Sequence, residues 1–387
     1  TCKKKKSQMN KPTVYFFCKN EPYNYQHDIV IIAEGLKKLG IDFYSNTDYW
    51  KENIYSDDYL FKHNKNVNPK DCDIIIYPYS YFYKTNPDYS ITIYNINSRE
   101  YQNFKGILIY LDSNDQFYNI SSSKEFQQFD LILKSHFNKK CKYPENFRPW
   151  TFGLPYRIIK RFENIKPFES RKPEILSNFA ASHGYEHQLR AKMKIEFYPL
   201  INKQYKINQT IDELFNPPSD PYEKLMWNQC WGRYNENYFK RIEEVQMQMA
   251  FCGFLIPNLP FNPFYLNGGG NKNKIYKSLF SLTSKIQNGL PRLIQWDSWR
   301  FWESLAAGCV PIHIDLEKYG VELPIMPINW KHYIGINLKN IKEDVDRLTN
   351  KKNTILEISK AGKKWAMENY SPQEMAKRLL KLSGYEI

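Results

Sequence analysis

Several short runs in the first third of the chain are apolar at consecutive positions instead of at every second one: 13–18 (TVYFFC), 73–77 (DIIIY), 91–94 (ITIY), 106–111 (GILIYL) and 130–133 (DLIL). A strand with one wet face alternates, whereas a strand covered on both faces is apolar throughout. These runs therefore predict a parallel sheet packed between helices. The intervals fit that scheme: residues 28–39 carry Ile29, Ile32, Ala33 and Leu36 on one helical face and stop at Gly40, and 41–44 returns as a strand.

At about 100 to 200 residues per domain, 387 residues suffice for two domains. Residues 147–173 contain four prolines and read as a connection leaving the first sheet. A second βα series then begins, with a strand at 174–179 (EILSNF), a helix at 185–197, and at 249–256 another strand or a buried helix end. Strands are expected at 277–283, 310–314 (VPIHI) and 333–336, a loop at 284–296, a helix at 298–307, and helices over 341–380 broken near 370–372. The stretch 199–239, polar and rich in Trp and Tyr, receives no assignment. The fold class is α/β, with residues 1–150 as one domain, 151–173 as linker and 174–365 as a second domain.

The 55 Lys and Arg against 41 Asp and Glu leave a net charge of +14, which favours anionic partners. The charge is diffuse; its one dense run, Lys3 to Lys6, reads as a solvated tail. Seven cysteines, an odd number with no CxxC pair and no His at metal-ligand spacing, fit a reducing compartment, and a cytoplasmic location is expected. No apolar run approaches the roughly 20 residues a membrane helix needs. The sequence starts at Thr1 instead of Met, so removal of a leader is compatible with it.

The most definite local geometry is in 295–315 (QWDSWRFWESLAAGCVPIHID). Asp297 is placed to cap a helix, Gly308 to stop it, and a β-branched run follows. Arg300, Glu303 and Ala307 share one face, and Phe301 and Leu305 another. The helix start offers unpaired N–H groups and a positive dipole end, suited to a diphosphate. Arg300 can add donors to phosphate oxygens and Glu303 can accept from ribose hydroxyls. An ordinary Arg300–Glu303 surface ion pair satisfies the same spacing.

The phrase Ser298-x-Arg300-x-x-Glu303, followed by LAAGCVP (305–311), resembles the nucleotide-sugar motif of exostosin-type glycosyltransferases. Residues 275–285 resemble the strand and loop before that motif, and 362–380 are similar to the terminal helices of many GT-B enzymes. The likeness covers about 174–380, and a fucosyltransferase-like GT-B family is the second choice. It implies two doubly wound Rossmann-like domains facing across a cleft, with 366–387 crossing back to the first. It also implies sugar transfer from a nucleotide diphosphate, UDP before GDP, to a hydroxyl of a glycan or glycoprotein. No metal or other cofactor is implied, and no nucleic-acid partner is expected.

Retaining GT-B enzymes commonly carry two glutamates eight positions apart. Here Gln295 stands eight before Glu303, so an inverting outcome is expected. The resemblance places His183, Arg190 and Lys285 with Asp297, Ser298, Arg300 and Glu303 around the donor. Asp112, Asp115 and His136, after strands of the first domain, are the candidates for the base, and turn formation or capping is the alternative for each aspartate. The competing class is a non-catalytic glycan- or nucleic-acid-binding protein using Trp227, Trp231 and Trp299.

Overall fold

The computed structural model describes residues 11–19, 27–85, 91–93, 103–113, 124–179, 187–209, 216–230, 232, 236–256, 291–350 and 354–386. The first domain contains β1 (Val14–Phe16), α1 (His27–Leu39), β2 (Phe43–Ser45), β3 (Tyr49–Lys51), β4 (Tyr59–Phe61), β5 (Ile74–Pro78), β6 (Tyr83–Thr85), β7 (Ile91–Ile93), β8 (Ile107–Asp112), β9 (Leu131–Lys134) and β10 (Phe147–Pro149). Six of these make one sheet in the order β10-β9-β8-β5-β1-β2, parallel at every pairing. Ile74, Ile75 and Ile76 are all fully buried, so successive side chains on both faces of β5 are covered, as the unbroken apolar run requires.

Two expectations need correction. The run 91–94 lies outside this sheet: β7 pairs antiparallel with β6, and its sequence Ile-Thr-Ile alternates as a hairpin strand does. The connection was expected to begin at residue 147, but residues 147–149 form the edge strand β10, where Pro149 costs no ladder bond that a neighbour needs.

Beyond α2 (Tyr156–Arg161) the second domain opens with β11 (Lys172–Leu176), α3 (Gln188–Glu196), α4 (Tyr198–Ile201) and β12 (Ile207–Asn208). It continues through α5 (Pro221–Gln229), α6 (Glu236–Glu244), β13 (Val245–Met249), β14 (Phe254–Ile256), β15 (Arg292–Ile294), α7 (Trp299–Ala306), β16 (Val310–Ile314) and β17 (Ile334–Ile336). Its parallel sheet runs β12-β11-β13-β16-β17, while β14 and β15 form a separate antiparallel pair. The stretch 249–256 is thus the end of one strand, a turn at Gly253 (φ 87°) and the start of another. The expected strand at 277–283 lies outside the described residues.

Three helices close the chain: α8 (Ile341–Asn350), α9 (Thr354–Tyr370) and α10 (Pro372–Leu382). α10 packs along α1 of the first domain so closely that a Cβ added to Gly35 would stand 2.0 Å from the Pro372 carbonyl oxygen. Trp302 of α7 stacks on Trp365 of α9, which ties these helices to the second sheet.

In each sheet the first strand lies between the second and the third, so the chain reverses its direction of winding between β1 and β5 and again between β11 and β13. Open α/β sheets bind ligands in the crevice outside the carboxyl ends of the strands at such a reversal. Both reversals are therefore places to look for chemistry.

Candidate functional site

At the β11/β13 reversal two arginines converge. Arg300, in the first turn of α7, donates from Nε to the carbonyl of Asn178, two residues past β11 (2.8 Å). Arg190 of α3 donates from Nε to the carbonyl of Phe251, two residues past β13 (3.0 Å), and from Nη1 to His187 Nε2 (2.7 Å). Their guanidinium carbons lie 5.8 Å and 5.2 Å from the ring centre of one residue, Phe179. Burial, and after it the charge of Arg190, hold the Arg300 guanidinium below its ordinary pKa. Such a like-charge pair in low dielectric favours an anion between or beside its members. Of the Arg300 nitrogens only Nε is hydrogen-bonded among the described residues. Its terminal amino groups retain the fork that carboxylates and phosphates accept.

The adjoining helix start has the same character. α7 is capped by Ser298, whose side chain makes no capping bond, and among the described residues neither the buried Ser298 Oγ nor the buried Trp296 Nε1 has a hydrogen-bond partner. Asp297 was expected at the cap position; it precedes the cap, and its carboxylate is occupied elsewhere. Oδ1 accepts from Trp302 Nε1 (2.7 Å), and Oδ2 accepts from Thr151 Oγ1 (2.6 Å) and the Phe152 amide (2.9 Å). The local reason is position: one residue before the cap, the side chain turns back over the helix and across to the other domain. Burial raises the Asp297 carboxyl pKa above its ordinary value, and His136 and these donors act against that rise.

Glu303 is buried and accepts from Tyr238 Oη (2.9 Å). Tyr238 in turn accepts from Gln248 Nε2 (2.9 Å), and Gln248 Oε1 accepts from Ser304 Oγ (2.6 Å). Arg300 and Glu303 thus point to the strand edge, one turn apart, instead of forming a pair on the outer surface. Gly308 ends this unit with φ 60°, the left-handed position after a helix terminus that glycine takes without strain.

Of the first-domain candidates, Asp112 ends β8 and forms a buried ion pair with Lys134 at the end of β9 (2.8 Å). His136 sits at the junction of the domains, its Nδ1 accepting from the Asp297 amide (3.1 Å). That bond leaves the proton of a neutral ring on Nε2, as a donor. His136 and Gln295 both hold positive φ (56° and 55°), a conformation that costs non-glycine residues about 1–3 kcal/mol each and persists only where surroundings impose it. Asn138 supplies part of that support by donating to the carbonyls of Leu293 and Tyr319 (2.9 Å each). Asp115, His183 and Lys285 lie outside the described residues.

At the reversal of the first sheet stands a carboxylate that sequence reasoning passed over. Asp28, in the first turn of α1, is buried; its Oδ2 accepts from Ser113 Oγ, just past β8 (2.8 Å), and its Oδ1 from the Ile29 amide (2.9 Å). Burial raises its pKa to about 6. Read as sequence it is an acidic residue in a helix's first turn, common enough for dipole reasons alone. What sets it apart is Ser113, 85 residues away. Asn178 and Phe179 were likewise read as strand, because EILSNF looks continuous, although β11 ends at Leu176.

No protein-family model matches the chain, and no curated protein matches it by sequence. Solved structures do match over nearly its whole length. An alpha-glucosyltransferase in complex with UDP-glucose and DNA containing an abasic site superposes with a TM-score of 0.52 at 8% identity, covering 97% of this chain and 100% of that one. An alpha-glucosyltransferase in complex with UDP and a 13-mer DNA containing a HMU base gives 0.52 at 10% identity over 97% and 100%. A glycosyltransferase from Rickettsia africae ESF-5 gives 0.50 at 11% identity over 97% and 98%. The chain has a GT-B-like fold, with two Rossmann-like parallel sheets of six and five strands.

Proposed function

We propose that the protein is a glycosyltransferase that moves a sugar from UDP to a hydroxyl acceptor with inversion, and that the exostosin-type motif, Ser298, Arg300 and Glu303, is its donor site. The observation that carries this reading is the convergence of Arg190 and Arg300 on Phe179 at the β11/β13 reversal, beside a helix start whose Ser298 hydroxyl makes no hydrogen bond among the described residues. A diphosphate placed there receives the Arg300 fork and the first amides of α7, while Glu303 accepts from the ribose. These groups also stabilise the negative charge that builds on the departing diphosphate, the step such a transfer most needs assisted. UDP is preferred because similar folds hold UDP or UDP-glucose.

For the base we assign Asp28 in place of Asp112, whose carboxylate is taken by Lys134. A carboxylate with pKa about 6 is ionised at neutral pH and still basic enough to take a proton from an attacking hydroxyl. Ser113 holds it in place.

The acceptor is read as a glycan hydroxyl. A second reading, a nucleic-acid hydroxyl, is favoured by the +14 charge and by the DNA held in two of the similar structures. The test is nucleotide release from a panel of UDP- and GDP-sugars, with oligosaccharide and duplex DNA acceptors supplied in turn. Turnover with UDP-sugars that Arg300→Ala abolishes supports the enzyme; binding without turnover supports the non-catalytic alternative.

A further inference from the structure

We propose that a cavity at the opposite end of α7 from the donor site binds a phosphate monoester of small-metabolite size. The cavity, about 600 Å³, opens where α7 ends at Ala307 and Gly308, between the segment leading into β11 and one face of α9. Lys166, Arg171, Lys360 and Lys363 line it, and none of them is paired with a carboxylate among the described residues. Arg171 is buried, and among the described residues its hydrogen bonds all go to carbonyls: Nε and Nη2 donate to Lys166 (3.1 and 3.0 Å) and Nη1 to Ala307 (2.9 Å). Among the described residues Lys363 Nζ makes one hydrogen bond, to the Phe162 carbonyl at 3.5 Å.

Two of these cations, Arg171 and Lys363, lie close together. A Cβ built on Gly308 would stand 3.7 Å from Lys363 Cδ and 3.9 Å from Arg171 Nη2, so both side chains meet over the same glycine. Burial, and then the charge of Arg171, press the Lys363 ammonium toward its neutral form. Two like charges held together with no carboxylate partner among the described residues are stabilised by an anion that accepts from both. Glu169 on the rim and Glu243, whose field reaches Arg171, oppose this only in part: Glu169 is exposed, and Glu243 is paired with Arg161. A phosphate dianion meets the charge, and the volume, within the range of about 300–1,000 Å³ usual for small-molecule sites, leaves room for the group it is esterified to.

The test is calorimetric titration of the full chain at low ionic strength with a hexose 6-phosphate, with inorganic phosphate, and with the hexose alone. Lys360→Ala, Lys363→Ala and, to exclude the donor site, Arg300→Ala are measured in parallel; circular dichroism checks that each is folded. We expect the hexose phosphate to bind, each lysine variant to weaken it about tenfold, the worth of one charge-assisted hydrogen bond, and Arg300→Ala to leave it unchanged. No binding to the wild-type chain, binding to the lysine variants as tight as to the wild type, or loss in Arg300→Ala would overturn the site. Inorganic phosphate binding as tightly as the ester would overturn the assignment to an ester. The outcome is independent of whether the chain transfers sugar.

Discussion

Asp28→Asn separates a catalytic carboxylate from a structural one. Burial raises the Asp28 carboxyl from 3.8 to about 6, a shift of about two units, and at 1.36 kcal/mol per unit the fold penalises its ionised form by about 3 kcal/mol. Because the folded pKa lies above the unfolded one, the contribution of the neutral acid is complete below about pH 4 and is lost as pH rises through 6. Asn is neutral throughout and keeps an acceptor for the Ser113 hydroxyl or the Ile29 amide. The variant should therefore match the wild type in urea denaturation at pH 4 and exceed it by up to about 3 kcal/mol at pH 8, an upper bound because relaxation and water entry reduce the penalty. Its turnover should move the other way. A general base contributes about 10²–10⁴-fold, so kcat/KM with a UDP-sugar should fall by that factor, and the wild-type acid limb near pH 6 should disappear. If Asp28→Asn retains turnover and the same acid limb, Asp28 is not the base; if its stability at pH 8 is no higher than the wild type's, the burial argument fails.

Other expectations follow from single contacts. Asp297→Ala leaves Trp302 Nε1, Thr151 Oγ1 and the Phe152 amide without their acceptor and should cost about 3–5 kcal/mol in chemical denaturation, more than an N-cap loss of about 1 kcal/mol. Gly35→Ala would gain about 1 kcal/mol in an isolated helix, yet here the new methyl meets the Pro372 carbonyl at 2.0 Å, so thermal melting should show net destabilisation of about 1–3 kcal/mol. Tyr238→Phe removes the donor to Glu303 and the acceptor of Gln248; UDP affinity should drop several-fold while affinity for inorganic pyrophosphate, which has no ribose, stays unchanged in a calorimetric titration.

The sheets were readable because buried parallel strands demand unbroken apolar runs, and DIIIY and GILIYL have little else they can be. α7 was readable because its stop, Gly308, and the strand behind it are local. Where partners come from far along the chain, local reading failed. Asp297 looks like a cap until Thr151, 146 residues earlier, supplies a donor, and Tyr238, which donates to Glu303, comes from a stretch that showed no periodicity. The hairpin at 91–93 was misread because three residues cannot distinguish a short alternation from a buried run. Asp28 gave no sequence signal beyond helix-start chemistry; its raised pKa depends on what the fold places over it.

The central claim is that Arg190 and Arg300 hold the donor's diphosphate, and the most direct measurement is UDP affinity by calorimetry in the wild type, Arg190→Ala, Arg300→Ala and the double variant. Each charge-assisted contact is worth about 1.5–3 kcal/mol, so each single change should weaken UDP by about 10- to 150-fold. The double variant should show no measurable binding, while uridine, lacking phosphates, binds all four chains alike. UDP binding that is equally tight in all four proteins would contradict the account.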